Sequence, residues 1–244
     1  MRVVQSSGEG PLGAGEKSYK ASDANEAVMM LNVLSAVERD SHLTQRRLSR
    51  DLGIALGLAN AYLRRCIGKG LVKVGQVPFN RYAYYLTPQG FAEKSRLTVE
   101  YLTWSFEFFR RARKQCSELL AQCAGFGGNR IVLFGTGELA EIALLSVGEK
   151  EMDVPCVVDP NAKESRCGGR PIVPDMVAAQ ALCGERGFDA LMVTDLRDPH
   201  QTYETVLAIA AAHNLPPERI LVPDLLQVMR NRDANAQVSG AVAT

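Results

Sequence analysis

The chain has one tryptophan and three histidines among 244 residues, and its six cysteines never fall into a Cys-x-x-Cys or Cys/His ligand spacing. A zinc finger or a disulfide framework is therefore not expected, and Cys66, Cys116, Cys123, Cys156, Cys167 and Cys183 read as reduced, packed thiols. His42, His200 and His213 are scattered, with no Ser/His/Asp or His-Glu-x-x-His signature, so no catalytic set and no metal site is expected. No run is apolar for long enough to span a membrane. The opening 22 residues are Gly/Ser-rich without an apolar core, which excludes a secretory signal and reads as a disordered arm. A cytoplasmic location follows from these absences. Neither sign of charge dominates, at a formal net charge of +1.

What is present is organised around Thr44 to Thr87. Thr44 is a helix cap, Leu48 and Leu52 share a face, and Gly53 supplies a turn. A second helix is expected from Leu56 to Lys69, with Leu58, Tyr62, Cys66 and Ile67 inward and Gly70 as its stop. Two strands follow, Leu71 to Val74 and Tyr82 to Leu86, around a loop with Pro78, Asn80 and Arg81. This is the order of a winged helix-turn-helix.

From Arg39 to Arg81 nine basic residues face two acids, whereas the whole chain is nearly neutral. A basic module joined to an acidic remainder points to double-stranded DNA as partner. The expected contacts come from Gln45, Arg46 and Arg47, then from Gly57, Asn60, Arg64, Arg65 and Lys69 on the second helix. Lys73, Asn80 and Arg81 add the wing.

Gln45 to Lys73, with Leu86-Thr87-Pro88-Gln89-Gly90 and Lys94-Ser95-Arg96-Leu97-Thr98, resembles the MarR-type regulators associated with exopolysaccharide genes over about residues 25 to 103. The chain departs from that pattern at Ala55, Leu58 and Ala61, which lie along the reading helix. The resemblance implies a transcriptional regulator of exopolysaccharide or capsule synthesis genes.

Ahead of this module, Ser22 or Asp23 is expected to cap a helix whose stripe of Ala27, Met30, Leu31, Leu34 and Val37 is core. Behind it, Pro88 opens a helix running to about Cys123. Leu97, Tyr101, Trp104 and Phe108 recur on it at three- and four-residue steps and read as the contact of a homodimer.

Past Gly125-Phe126-Gly127-Gly128 the pattern changes to alternating strands and helices: strand Arg130 to Phe134, helix Leu139 to Val147 and strand Val154 to Val158. Helices are expected at Asp175 to Cys183 and Pro199 to His213, and strands at Ala190 to Thr194 and Arg219 to Val222. Gly135-Thr136-Gly137-Glu138-Leu139-Ala140 joins the first strand to its helix, and Asp159 ends the second strand. A strand, glycine turn, helix, strand and acid in that order make a nucleotide-binding half-fold. Gly137 lets backbone N–H groups approach a pyrophosphate, and Asp159 is placed to accept from a ribose. Pro160, Lys163 and Arg166 in a polar loop, with Asp195 and Arg197 after the third strand, complete the expected ligand site.

The stretch Ile131 to Val158, with Cys167-Gly168-Gly169-Arg170-Pro171-Ile172-Val173-Pro174, is similar to the Rossmann-like front domain of sugar O-acyltransferases that bind UDP-sugars, and to its NAD- or CoA-binding relatives. That likeness implies a nucleotide-sugar effector, with no cofactor required and NAD(H) as the alternative.

The expected fold is α/β overall. Residues 1–22 are an arm, 23–87 a winged helix-turn-helix that is mostly α with a β-wing, and 88–124 a long dimerisation helix. A Rossmann-like parallel-sheet domain spans 129–226, and 230–244 is a flexible tail. The expected function is a dimeric regulator whose second domain senses a nucleotide-bearing small molecule. Two other readings keep the same parts: an NAD(H)-sensing redox regulator with the domain order of the Rex type, and an enzyme acting on a nucleotide sugar with a DNA-binding appendage.

Overall fold

In the computed structural model, α1 covers Ala14–Arg39 and turns Met30, Val33, Leu34 and Val37 into a buried stripe at helical spacing. It starts ahead of the cap expected at Ser22 or Asp23, so the arm expected over 1–22 is helical from Ala14 onward. The structure describes residues 14–77, 81–150 and 152–228; the rest of that arm, Pro78, Asn80 and the tail at 230–244 lie outside the described residues.

Helix α2, Gln45–Leu52, opens on Thr44, whose hydroxyl accepts from the Arg47 amide at 3.2 Å, and it buries Leu48. Helix α3, Leu56–Gly68, buries Ala59, Leu63 and Cys66. That phase differs from the expected one: Leu58 is exposed, and Tyr62 and Ile67 are only partly covered. The steps of four and three from Ala59 through Leu63 to Cys66 fix the buried line, and Leu58, about 100° round the helix from Ala59, falls outside it.

Strands β1 (Val72–Val77) and β2 (Arg81–Leu86) pair antiparallel, with Val72 opposite Leu86 and Val77 opposite Arg81. The Tyr84 amide also donates to the Ser41 carbonyl at 2.8 Å, anchoring the wing to the loop before α2.

The Leu-Thr-Pro-Gln-Gly stretch starts α4, Pro88–Gly125, by a clear local mechanism. The Thr87 hydroxyl accepts from the Gly90 amide at 3.0 Å and donates to the Gly70 carbonyl at 2.7 Å. Gly90 is required by close approach, because a Cβ there would lie 2.0 Å from the Leu71 carbonyl oxygen.

Two compact units divide the chain at Phe106/Glu107, inside α4. The expected separate dimerisation helix is thus shared between two cores. Leu97 is buried with α1, α3 and the wing, while Ala112, Cys116, Leu120 and Cys123 are buried with the second unit.

The second unit is built on β3 (Ile131–Phe134), α5 (Glu138–Gly148), β4 (Val157–Val158), β5 (Arg166–Cys167) and β6 (Arg170–Val173). It continues through α6 (Met176–Cys183), β7 (Ala190–Val193), α7 (Pro199–Ala212) and β8 (Ile220–Leu221). The sheet order is β5-β6-β4-β3-β7-β8, parallel throughout except for the edge strand β5. The segment 160–174, expected to be loop, contains β5 and β6. Gly168 and Gly169, with φ of 51° and 81°, form the two-residue turn between them, as a tight hairpin demands. The expected strand over 154–158 is regular only at Val157–Val158, with an isolated bridge from Asp153 to Arg130. The fold is α/β overall: a winged helix-turn-helix, a long helix and a mixed, largely parallel sheet. None of the helices among the described residues is long and apolar enough to cross a membrane.

Candidate functional site

In the first unit the exposed side of α3 carries Gly57, Leu58, Ala61, Arg64 and Arg65, with Lys69 at its end. Arg65 is held by Glu26 of α1 at 2.7 Å, and Arg47 by Asp40 at 2.8 Å, so two expected DNA cations already have acidic partners. Both pairs are open to water and worth little against a phosphate. Arg46, Arg64, Lys69 and Lys73 are exposed, and their side chains make no ion pair or hydrogen bond among the described residues; Gln45 is exposed at the start of α2. Asn60 does not stand free as expected. It is partly covered, and its Oδ1 is shut from solvent without a hydrogen-bond partner. It lies on the flank of the reading face, one position after buried Ala59. Asn80 and the Arg81 side chain lie outside the described residues.

Two exposed wing residues escaped the sequence reading, Tyr82 and Tyr85. Tyr85 sits opposite Lys73 in the β-ladder. Period-two alternation along the second strand gave no signal for them, since Tyr82 shares a face with buried Tyr84 and Tyr85 with buried Ala83.

The second unit gathers its polar side chains at the carboxyl ends of β3, β4 and β7. Asp159 is buried just after β4, and all its acceptor capacity on Oδ2 is used inside the chain. That oxygen accepts from the Thr136 amide at 3.1 Å, the Thr136 hydroxyl at 2.5 Å and the Arg197 guanidinium at 2.6 Å. Its Oδ1 takes the Asn161 amide at 2.9 Å. Asp159 is therefore a clasp between the glycine turn and the loop after β7, rather than the free ribose acceptor expected. Burial works to raise its carboxyl, but the donors from Thr136, Asn161 and Arg197 outweigh that and hold it below the ordinary carboxylate value.

Asp195 repeats the arrangement. Its Oδ1 accepts from the Arg197 amide and guanidinium, each at 3.0 Å, and its Oδ2 from the Thr202 hydroxyl at 3.0 Å. Burial pushes its carboxyl up, and these donors bring it below the usual value. Arg197, gripped by Asp195 and Asp159, is raised further above its already high value.

The glycine turn has two different glycines. At Gly135 a Cβ would meet Asp195 atoms at 2.4–2.5 Å, so this residue allows two strand ends to touch. Gly137 precedes α5 with φ of 113° and open space around it. Glu138 is exposed, whereas Leu139 is fully buried in the core and offers no side chain to a ligand.

Two hollows adjoin this clasp and share Asn161 and Arg197. One, about 320 Å³, is lined by Thr136, Gly137, Lys163, Arg166 and Cys167. The other, about 370 Å³, is lined by Phe134, Pro160, Asp175, Met176, Asp198 and Ile209 among others. The first brings Lys163 and Arg166 near the glycine turn, although Arg166 also donates to the Gly169 carbonyl at 2.8 Å. The second was not read from the sequence beyond Gly135, Asp159, Pro160, Asp195 and Arg197. Its signal was the Asp-Pro pair at 198–199 opening α7, where the Asp198 carboxylate caps the Gln201 amide at 3.1 Å.

The expected dimer residues are split. Leu97 is buried in the winged-helix core, and Phe108 is partly covered, packed against the second core. Tyr101 is exposed and Trp104 partly covered. The open apolar stripe lies on the other side of α4, at Phe91, Val99, Leu102 and Phe106.

Against known families, residues 30–73 match the family described as winged helix-turn-helix DNA-binding. A search of curated proteins gave no match to this chain. The match covers α1 from Met30, α2, α3 and the start of β1. The first unit thus holds a winged helix-turn-helix DNA-binding domain.

Proposed function

We propose that this protein is a DNA-binding transcriptional regulator whose second unit senses a nucleotide-bearing ligand. The observation that carries the regulator reading is the winged helix-turn-helix over residues 30–73 with exposed Arg46, Arg64, Lys69 and Lys73. The sensing reading is supported by the site's place at the carboxyl ends of parallel strands whose chain order is third, second, first, fourth, fifth. That order and the glycine turn fit a Rossmann-like domain. Lys163 and Arg166 beside the open Gly137 suit phosphates, and the neighbouring hollow, lined by both apolar and polar side chains, suits a base or sugar. A nucleotide sugar is the ligand we favour, and control of exopolysaccharide synthesis genes is the role the sequence resemblance adds. The site binds and reports; we assign it no turnover.

Action at a distance requires that the ligand bind the DNA-competent and incompetent states with unequal affinity. We further propose a homodimer formed through Val99, Leu102 and Phe106, in place of Leu97 and Phe108. The ligand reading is tested by thermal shift with UDP-sugars, NAD(H) and acyl-CoA, since a ligand of the native state raises the melting temperature. A UDP-sugar should stabilise the wild type and lose that effect in Lys163→Ala with Arg166→Ala. Stabilisation by NAD(H) alone would transfer the site to a redox signal, and no shift with any of the three would remove the sensing reading.

A further inference from the structure

The reading helix is apolar where a recognition helix meets base edges. Leu58, in the first turn of α3, is 47% exposed. Gly57 and Ala61 complete that surface without a polar atom in their side chains. Ala55, at the cap, makes no side-chain hydrogen bond either. Cations appear only two turns later, and of these Arg65 is bound to Glu26, which leaves Arg64 as the free guanidinium on this face.

Leu48, Leu63 and Leu71 fill the core of the domain, and Leu58 is left outside it. Held out on the first turn of a DNA-binding helix, Leu58 is placed to cover an apolar surface there. In the major groove one base feature is apolar, the C5-methyl of thymine. A Leu side chain has no donor or acceptor for the edges of guanine, cytosine or adenine, and leaves those edges unpaired when it is pressed on them.

We propose that Leu58, beside Ala61, reads thymine methyl groups, so that each half-site is thymine-bearing where the first turn of α3 enters the major groove. Arg64 supplies the guanine or phosphate contact at the other end of the helix. Specificity is then carried by burial of methyl groups more than by hydrogen bonds. This rests on the regulator reading above and says what DNA that regulator selects.

The test begins with selection of binding duplexes from a random pool by the full chain. Thymine is then replaced by uracil in the selected site, which removes the methyl and keeps the base pair. Loss of one buried methyl corresponds to about fourfold in affinity. The wild type should bind the uracil duplex about fourfold or more weakly, and Leu58→Ala should bind both duplexes alike. Because Leu58 is exposed, this variant should keep the wild-type melting temperature; if it does not, Leu58→Met serves as the second variant, with a partial loss of discrimination expected. Equal binding of thymine and uracil duplexes by the wild type, or unchanged discrimination in a folded Leu58→Ala, would overturn the proposal while leaving the regulator reading intact. Failure to bind any duplex would remove both.

Discussion

Arg197 sits half exposed between two buried carboxylates, Asp159 and Asp195, and its guanidinium is the cation paired with both. Removing it would strand two charges in a poorly solvated place, a change more costly than deleting one surface pair. Arg197→Met should therefore lower stability by about 1–3 kcal/mol, discounted for the half of the side chain that water already reaches. Both carboxyls lie below their ordinary value in the folded chain. Their stabilisation is complete above the unfolded carboxylate pKa of about 4 and is lost as falling pH passes through the lower folded values. Melting temperature should accordingly hold from about pH 7 to 5 and fall below about pH 4, with a shallower acid fall in Asp195→Asn. An acid profile identical in that variant and the wild type would deny Asp195 this role. Gly135→Ala, which drives a methyl into Asp195, should cost about 2–3 kcal/mol in urea unfolding. Gly137 is a poorer probe than its open surroundings imply, because its φ of 113° strains any side chain whatever space is available.

Among the elements, those with strong local signals were legible in the sequence. Thr44 and Gly53 bounded α2, Pro88 opened α4, and the continuous apolar run at Ile131–Phe134 marked β3. The phase of α3 was not, because Leu58 attracts an inward assignment by hydrophobicity while Ala59, a small residue, is what the core accepts. The hairpin at 166–173 was missed because Pro171 and a polar loop obscured a turn that Gly168-Gly169 announces. At the site, residue identity was legible and partnership was not: an Asp after a second strand looks the same whether it faces a ribose or a neighbouring Arg. For α4, the apolar residues were clear but their division was not. A helix serving two cores turns different sides inward along its length, and this leaves Val99, Leu102 and Phe106 outside. Leu102→Glu with Phe106→Glu should convert a dimer to a monomer in light scattering, with unchanged helical circular dichroism. A persistent dimer would move the contact elsewhere.

At the scale of the molecule, a DNA-binding unit and an α/β unit divide one chain, and the net positive charge is concentrated in the first. The central claim is that this charge serves duplex DNA. Binding to phosphates releases counterions, so log affinity falls with log salt by about 0.9 per phosphate contacted. The most direct measurement is fluorescence anisotropy of a labelled selected duplex across a salt series, for wild type and for Arg46→Ala with Lys73→Ala. The account predicts a steep slope in the wild type that becomes shallower by about 2 per subunit in the double variant, with weaker binding to every sequence. Binding that ignores salt, or a slope unchanged by losing both cations, would contradict it.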